Sequence, residues 1–271
     1  MHEPSDSILV ERHEAKYLIP RPLAPAIREY IRPFCSPDRN ATGDPPEYVI
    51  TTMQLDTPNL SLHHARDREA LARFKLRARY YGLDPSSPLY LEVKRKYKSV
   101  IVKSRARIPR ACWRREWLLD PHHPLPNVFR SLKEEYAYLE FVRLVREIGA
   151  EPKVLLRYTR ESYVSHVDEY ARVTFDRRLC YQPSVSWSSW GEGGRWRSLD
   201  VDAMQNKEMP FSALILELKA MSHVPTWLVE MVRKFDLVRT GNCKYSSAIW
   251  AESLFRGTPA QPRYAELYDM A

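Results

Sequence analysis

The stretch from Arg73 to Arg107 reads RFKLRARYYGLDPSSPLYLEVKRKYKSVIVKSRAR, and the fold is decided here. Positive charges recur at every second residue in three runs: Arg73, Lys75, Arg77 and Arg79; Lys94 and Lys96; Lys103, Arg105 and Arg107. Side chains two residues apart lie on one face of a β-strand. The alternate positions in the first two runs carry mostly apolar side chains, namely Phe74, Leu76, Ala78, Tyr80, Leu91 and Val93. Each run is therefore predicted to be a strand with one cationic face and one apolar face.

Two turn-forming segments, 82–88 and 97–99, separate the runs and predict an antiparallel meander that brings the cationic faces together. Two like charges about 5 Å apart cost about 3 kcal/mol at an effective dielectric constant near 20. The runs place only one carboxylate, Glu92, on the cationic side. The sequence therefore predicts a polyanionic ligand that supplies the missing negative charge. The alternative is a basic surface sheet neutralised by small counterions.

Composition limits the possible functions. With 271 residues, 44% of them hydrophobic, the chain can bury a substantial core, and its net charge of +8 favours anionic partners. The four cysteines are widely spaced and form no C-x-x-C pair, so neither a zinc site nor a disulfide framework is indicated. Neither a signal peptide nor a membrane-spanning stretch is recognisable in the sequence. We therefore expect a cytoplasmic protein.

Period-two alternation predicts eight strands in all. Besides the three cationic runs, they lie at 8–19, 48–56, 154–163, 171–176 and 214–219. Helices are predicted at 22–34, 128–148, 225–235 and 246–255. The second helix is expected to begin at an Asn127 cap and to bury a stripe formed by Val128, Leu132, Leu139, Val142, Val145 and Ile148.

An α+β fold follows, in which eight antiparallel strands close into a barrel flanked by helices. If the charged faces point inward, the barrel is a water-filled tunnel with a basic lumen. Residues 1–256 are expected to form this single domain, with 183–199 as a hairpin or lid insertion and 257–271 as a loosely held tail. The insertion contains three tryptophans, for which packing is favoured over a nucleobase platform. His63 and His64 are expected to be solvated rather than to bind metal.

Nine short motifs lie in order along nearly the whole chain. They are Arg12-His13-Glu14-Ala15-Lys16-Tyr17, Leu55-Asp56-Thr57-Pro58, Phe74-Lys75-Leu76-Arg77-Ala78-Arg79-Tyr80-Tyr81-Gly82, Leu91-Glu92-Val93-Lys94-Arg95-Lys96, Lys103-Ser104-Arg105, Tyr158-Thr159-Arg160, Arg172-Val173-Thr174-Phe175-Asp176, Leu216-Glu217-Leu218-Lys219 and Lys244-Tyr245-Ser246. In this order and spacing the chain resembles the VTC domain, the polyphosphate polymerase domain of vacuolar transporter chaperone complexes. That domain belongs to the triphosphate tunnel metalloenzyme (CYTH-like) superfamily.

The resemblance implies an eight-stranded tunnel that holds a chain of phosphates. Together with the alternation, it assigns phosphate binding to Lys16, Lys75, Arg77, Arg79, Lys94, Lys96, Lys103, Arg105, Tyr158, Arg160, Arg172, Lys219 and Lys244. Catalytic roles are expected for Lys94, Arg77, Arg79 and Arg160. A divalent cation, Mn²⁺ or Mg²⁺, is expected on Glu217, with Glu14 and Glu92 as further candidate ligands.

Two positions depart from the related patterns. Tunnel phosphatases and cyclases begin with Glu-x-Glu-x-Lys, whereas Arg12 stands at the first Glu position here, which favours the VTC branch. A second lysine expected shortly before Lys244 is replaced by Gly241, with Arg239 as the nearest basic substitute. The sequence therefore supports phosphate binding more directly than it supports polymerase activity.

Phosphoryl transfer requires positioning and charge neutralisation more than a covalent nucleophile. The predicted reaction is ATP plus polyphosphate giving ADP and a chain longer by one phosphate. The alternatives are hydrolysis of triphosphate or nucleoside triphosphates, and a non-catalytic polyphosphate-binding or polyanion-binding module. No nucleic-acid partner is expected, because a closed lumen excludes a duplex. Export of a product would need a separate membrane partner, and the oligomeric state is left open.

Overall fold

The structure is a computed structural model of the chain. It describes residues 12–84, 86–98, 100–124, 126–183, 186–188, 190–191, 194–199, 213–221 and 223–252. The predicted tail at 257–271 and the first part of the first predicted strand, 8–11, lie outside the described residues.

Ten strands form one large antiparallel sheet. They are β1 (Arg12–Pro20), β2 (Cys35–Pro37), β3 (Glu47–Asp56), β4 (Ala72–Tyr81), β5 (Leu89–Tyr97), β6 (Val100–Ile108), β7 (Glu151–Ser165), β8 (Ala171–Pro183), β9 (Arg197–Ser198) and β10 (Ala213–Met221). Eight of them pair in the order β1-β10-β8-β7-β3-β4-β5-β6, while β2 pairs with β7 and β9 pairs with β8. The eight predicted strands are confirmed. The two additional strands are too short to show a period.

The closed barrel is not confirmed. Within the part of the chain that the structure describes, the pairing order ends at β1 and β6, and these two strands do not pair with each other. Alternation determines which side chains share a face of a strand, but it carries no information on whether the first and last strands meet. The chain is therefore a mixed fold of helices flanking a large antiparallel sheet.

Six α-helices lie in the described residues. They are α1 (Leu23–Ile31), α2 (Ser61–Asp67), α3 (Arg115–Leu119), α4 (Leu132–Glu147), α5 (Thr226–Lys234) and α6 (Lys244–Ala251). The four predicted helices correspond to α1, α4, α5 and α6, the last of which begins two residues before its predicted start. The short helices α2 and α3 were not predicted, because neither is long enough to show an apolar stripe.

Helix α4 begins four residues later than predicted. Its cap is Ser131, whose hydroxyl oxygen accepts a hydrogen bond from the backbone N–H of Glu134 at 3.3 Å, so the assignment to Asn127 was wrong. The predicted stripe was wrong in part, because Leu132 and Leu139 are exposed. The buried face keeps the predicted Val142 and Val145 and adds two aromatic side chains; it consists of Ala137, Tyr138, Phe141, Val142, Leu144 and Val145.

By density of contacts the chain divides into two compact units, and each is described by itself. Unit 1 consists of Met1–Tyr48, Arg160–Arg177 and Val201–Asn242. Its core contains apolar side chains from α1, α5 and one face of β1, β8 and β10, including Ile27, Phe175, Leu216 and Met231. The charged side chains of these strands lie on the other face. The single domain expected over residues 1–256 stays a prediction.

Unit 2 consists of Val49–Thr159, Arg178–Asp200 and Cys243–Ala271. Helices α3 and α4 contribute to a core on the apolar face of β4, β5 and β6, and this core includes Leu76, Val93 and Phe141. The antiparallel meander predicted for these strands is confirmed. Trp190 is buried in the same core, and the indole N–H of Trp113 donates to the Trp187 carbonyl oxygen at 2.6 Å. This agrees with the packing role, while a lid at 183–199 stays a prediction.

The solvated surface predicted for His63 and His64 was wrong. Both side chains lie in α2 and are buried, with 0% and 4% of their surface exposed. The carboxylate of Asp56, at the end of β3, accepts hydrogen bonds from the backbone N–H groups of Leu62 and His63 at 2.8 and 2.9 Å. These bonds anchor the first turn of α2, so the two histidines are part of the folded interior of unit 2.

Candidate functional site

Three lysines of unit 2 lie opposite one another across β4, β5 and β6. Lys75 pairs with Lys94, and Lys94 pairs with Lys103. Directly opposed residues in an antiparallel sheet share a face and have Cα atoms roughly 4.5–5.5 Å apart. Like charges placed directly opposite each other across strands are destabilising. We call these three residues the lysine row.

The neighbouring row on the same face contains the only carboxylate among the cationic runs. Glu92 on β5 lies between Arg77 on β4 and Arg105 on β6. It is completely buried, and its oxygens lie 2.6 Å from Arg77 Nε, 2.5 Å from Lys103 Nζ and 3.4 Å from Arg105 Nε. Burial alone would raise the pKa of Glu92, but the surrounding positive charges outweigh it and hold that pKa far below its usual value of 4.5.

Two further arginines of this face contact neighbouring side chains, and Lys103 has a shifted pKa. The Arg105 guanidinium lies 3.9 Å from the centre of the Tyr90 ring. Arg79 is largely buried, and its Nε donates to the Thr52 hydroxyl at 3.0 Å. Burial lowers the pKa of the Lys103 ammonium to about 7, a shift that Glu92 opposes and the nearby arginines reinforce. Lys96 extends the face by pairing with Arg73.

Seven predicted phosphate ligands thus share one face of the β4–β5–β6 meander. They are Lys75, Arg77, Arg79, Lys94, Lys96, Lys103 and Arg105. The set contains seven basic side chains and one carboxylate, Glu92. We call it the cationic face. A surface of this kind favours ligands with several closely spaced negative charges, because one such ligand can neutralise several cations at once.

The first turn of α6 adds two further groups to unit 2's site. The Nζ of Lys244 lies 4.8 Å from the centre of the Tyr158 ring, a cation–π contact between two predicted phosphate ligands. The preceding residue, Cys243, has its Sγ 3.0 Å from the Nζ of Lys75. Burial would raise the pKa of this thiol, but the Lys75 charge and hydrogen bonds from Ser246 outweigh it and lower the pKa to about 5. The Lys75 ammonium therefore already has a thiolate partner.

In unit 1 the charged strand faces are ordered differently. Lys16 on β1 pairs with Glu217 on β10, which pairs with Thr174 on β8. In the next row, Glu14 pairs with Lys219, which pairs with Arg172. Lys219 and Arg172 are like charges, but each cation of these rows has a carboxylate within 4 Å. Lys16 lies 3.4 Å from Glu14, Lys219 lies 3.1 Å from Glu217, and Arg172 lies 3.2 Å from Asp38.

Arg160 has the most completely enclosed ion pair of unit 1. Its Nε and one terminal nitrogen donate to the two oxygens of Asp176 at 2.6 and 2.7 Å, and that terminal nitrogen also donates to Glu217 at 3.0 Å. Asp176 is 2% exposed and Glu217 is 4% exposed. A bidentate pair of this kind fixes the plane of the guanidinium. Asp176 therefore orients a residue for which the sequence analysis predicted a catalytic role.

Unit 1 thus pairs four predicted cationic ligands with four carboxylates, in contrast to the cationic face of unit 2. The cations are Lys16, Arg160, Arg172 and Lys219, and the carboxylates are Glu14, Asp38, Asp176 and Glu217. Carboxylate oxygens are the ligands that Mg²⁺ and Mn²⁺ prefer. Within the described residues, no three His, Cys, Asp or Glu side chains are arranged to hold a metal ion.

The carboxylate oxygens of Glu217 suit a cation that takes most of its other ligands from phosphate and water. Mg²⁺ is commonly bound by one or two carboxylates together with substrate phosphates, so a complete protein cage is not required. Glu92 fits such a site less well, because a metal would have to displace its contacts with Arg77, Lys103 and Arg105. Glu14 lies on the same strand face as Lys16, whose backbone partner across the sheet is Glu217.

Sequence reasoning missed several polar residues that support these ligands. None of four such residues was assigned a role: Asp176, Asp38 and Cys243 contact predicted ligands, and Tyr245 precedes Ser246 and follows the predicted ligand Lys244. Asp176 and Tyr245 lay inside quoted motifs, and their positions next to cationic residues in the sequence were the available signal. Asp38 lies in a loop without periodicity, so its contact with Arg172 depends on the tertiary fold.

Comparison with known proteins places these features in a family. The sequence matches the VTC domain family over residues 11–251. Among solved structures, the PH1819 protein from Pyrococcus horikoshii OT3 is similar with a TM-score of 0.41 and 11% identity, covering 89% of this chain and 98% of that chain. A putative adenylate cyclase from Bacillus halodurans is similar with a TM-score of 0.44 and 9% identity, covering 86% and 95%. The comparison with curated proteins gave no match.

No helix among the described residues is both long enough and apolar enough to cross a membrane. The family match extends over most of the chain, from residue 11 to residue 251, and it includes all the predicted ligands. The resemblance that the nine motifs indicated is therefore confirmed, and the chain belongs to the VTC domain family.

Proposed function

We propose that this protein is a polyphosphate polymerase that transfers the γ-phosphate of ATP to a growing chain of inorganic polyphosphate. The observation that carries the proposal is the cationic face, in which seven basic side chains surround one buried carboxylate. The lysine row places three lysines opposite one another across three strands, where a chain of phosphates would add negative charge along the row. Membership of the VTC domain family supports a polyphosphate-related substrate.

The proposed roles follow from the chemistry of each side chain. Arg77 and Arg79 present planar guanidinium groups suited to bidentate phosphate binding, while Lys94 supplies a point charge. Glu92 holds its basic neighbours in place in the free protein. Arg160, whose plane Asp176 fixes, is proposed to stabilise negative charge on a transferring phosphoryl group. The attacking group would be the terminal phosphate of the chain, so no protein nucleophile is required.

Glu217 is proposed to hold the divalent cation, with Glu14 as a further candidate ligand. Once bound, Mn²⁺ or Mg²⁺ would bridge phosphate oxygens and offset the charge that develops in the transition state. The ion pairs of Glu217 with Arg160 and Lys219 orient its carboxylate in the absence of a substrate. The remaining predicted ligands, including Lys16, Arg172 and Lys244, are proposed to bind phosphates of the chain or of ATP.

A non-catalytic polyphosphate-binding module is the second candidate, and Gly241 favours it. This residue stands where the family pattern has a lysine, and the nearest basic side chain, Arg239, is exposed and donates to the Glu14 carbonyl oxygen at 3.4 Å. A triphosphatase, in which water replaces the phosphate acceptor, is a third possibility for the same set of side chains. Turnover measurements separate the three.

The test is a time course with ATP, Mn²⁺ and a short polyphosphate primer, in which ADP, orthophosphate and long-chain polyphosphate are measured together. Lys94→Met and Glu217→Gln are compared with the surface variants Lys133→Met and Glu147→Gln as matched controls. We expect ADP and long chains to appear together, and each site variant to lower the rate by about 100-fold, the scale of losing one charge-stabilising group. The control variants should retain the wild-type rate.

The outcomes distinguish the candidates. Orthophosphate without chain growth would assign the protein to the triphosphatases. Tripolyphosphate binding that weakens in Lys94→Met, without turnover, would support the binding module. Neither turnover nor tripolyphosphate binding would contradict every function proposed for the cationic face.

A further inference from the structure

Two motifs that are far apart in the sequence meet inside unit 2. The hydroxyl of Tyr245, in the first turn of α6, donates to the carboxylate of Asp56 at 2.8 Å, a contact that spans 189 residues of sequence. Asp56 is 0% exposed and Tyr245 is 5% exposed. The same carboxylate accepts backbone N–H groups of Thr57, Leu62 and His63 at 2.7, 2.8 and 2.9 Å. Asp56 is therefore tied to the start of α2 and to the start of α6.

A second contact fixes the same turn of α6. The Nδ1 of His63 lies 3.3 Å from the hydroxyl oxygen of Ser246, and both side chains are 0% exposed. Ser246 follows Tyr245 directly, so two adjacent residues of α6 are held by the segment that Asp56 organises. The first turn of α6 thus has little freedom to rotate about its axis. Its orientation is set by contacts on the side of β3 and α2.

This turn also carries two side chains that belong to the candidate site. Lys244 precedes Tyr245 and lies against the Tyr158 ring, while Cys243 contacts Lys75 of the lysine row. Successive residues of a helix point about 100° apart around its axis. Holding Tyr245 on the Asp56 side therefore determines the direction in which Lys244 projects. A rotation of the turn would move the Lys244 ammonium away from Tyr158.

We propose that Asp56 is a positioning residue for phosphate binding, which acts by holding Tyr245 and so directs the neighbouring Lys244 into the candidate site. This inference rests on the proposed phosphate-binding function. It gives a task to a buried acid that lies at the end of β3. It also links the Leu55-Asp56-Thr57-Pro58 and Lys244-Tyr245-Ser246 motifs through a contact inside unit 2.

The test is a double-mutant cycle on the full chain, with inorganic tripolyphosphate as the probe and calorimetry without divalent cations as the measurement. Tyr245→Phe removes one hydroxyl and leaves Asp56 its three backbone hydrogen bonds, so it is preferred to Asp56→Asn, which also weakens the start of α2. We expect Tyr245→Phe to raise the Kd about five-fold, the scale of one lost hydrogen bond. Lys244→Ala should raise it by at least about ten-fold, as expected for a charged contact.

The decisive comparison is Tyr245→Phe in the Lys244→Ala background. If Tyr245 acts through Lys244, the double variant should bind no more weakly than Lys244→Ala alone. Equal five-fold losses in both backgrounds would overturn the proposal, because the hydroxyl would then act on the fold as a whole. Tyr30→Phe is the matched control: its hydroxyl donates to the Trp227 carbonyl oxygen at 3.1 Å, and its loss should leave the Kd unchanged.

Failure of the proposal can be told apart from failure of the proposed function. If Lys94→Met weakens tripolyphosphate binding but Tyr245→Phe or Lys244→Ala does not, the positioning role is wrong and the phosphate site stands. If wild type fails to bind tripolyphosphate, or binds it equally after Lys94→Met and Lys244→Ala, both are wrong. Thermal unfolding midpoints recorded for every variant confirm that the compared proteins are folded.

Discussion

The charge of a single buried residue, Glu92, holds much of the cationic face together in the free protein. Its carboxylate contacts Arg77, Lys103 and Arg105 and has no exposed surface. We expect Glu92→Gln to lower the free energy of unfolding by about 3 kcal/mol, because buried cations would lose their partner. Urea unfolding measures this, with Glu147→Gln as the control. Glu147 forms an exposed pair with Arg143, so its loss should cost under about 1 kcal/mol.

The same residue predicts the sign of a pH effect. The folded pKa of Glu92 lies below its usual value of 4.5, so its stabilisation is present above that value and is lost as the pH falls towards the folded pKa. Wild type should therefore lose more stability than Glu92→Gln when the pH is lowered from 5 to 3. Parallel loss in both proteins would show that the carboxylate does not carry this charge network.

The Cys243 thiol should react as a thiolate at neutral pH. Its pKa is lowered to about 5 by Lys75 and Ser246, whereas burial raises the pKa of Cys35 to about 12. We expect the rate of iodoacetamide alkylation at Cys243 to stay nearly constant between pH 6 and 8, as followed by mass spectrometry of each cysteine. Lys75→Met should restore a rate that rises with pH. A tenfold rise per pH unit in wild type would contradict the Lys75–Cys243 pair.

Among the secondary-structure elements, α4 offers a direct comparison between a predicted cap and an observed one. Ser131→Ala should lower the free energy of unfolding by about 1 kcal/mol, because the Glu134 N–H loses its side-chain acceptor and keeps only the Ser131 carbonyl oxygen. Asn127→Ala is the control and should change stability by under about 0.5 kcal/mol, since Asn127 lies before the helix. Urea unfolding of both variants checks this. A larger loss in Asn127→Ala would mean that the helix begins earlier.

The secondary-structure elements also show what the periodicity of apolar and charged residues can and cannot predict. Strands β4, β5 and β6 were predicted because each has one charged face and one apolar face, and the pattern requires no knowledge of the partner strand. In α4 the apolar residues outnumber the positions that the sheet can cover. Leu132 and Leu139 were placed in the core, but Tyr138 and Phe141 occupy it. Choosing among competing apolar stripes requires the tertiary neighbours, which no local pattern contains.

At the scale of the whole molecule, a polyphosphate ligand should stabilise the fold by mass action. Tripolyphosphate at 100 times its Kd should raise the free energy of unfolding by about 2.7 kcal/mol. Thermal unfolding measures this as a higher midpoint, and added salt should reduce the increase by screening the cationic face. Sulfate at the same ionic strength is the control. An equal effect of sulfate would show that any dense anion suffices and would contradict a preference for linked phosphates.

The candidate site was predicted unevenly across the chain. The lysine row and the Arg77–Glu92–Arg105 row follow from alternation plus one antiparallel meander, so the sequence contained them. The Arg160–Asp176 pair could not be deduced in that way, because it depends on β7 and β8 being neighbours. The buried state of His63 depends on Asp56, which anchors α2 from a different element. Contacts between elements distant in sequence were therefore the part that patterns could not supply.

The first turn of α6 has a consequence for how the chain can vary in length. Four consecutive residues each contact a different element, and these pairs are Cys243 with Lys75, Lys244 with Tyr158, Tyr245 with Asp56, and Ser246 with His63. Inserting one residue into the turn would turn the following side chains by about 100° and shift them by about 1.5 Å, so several contacts would be lost together. This segment should tolerate substitution far better than insertion or deletion.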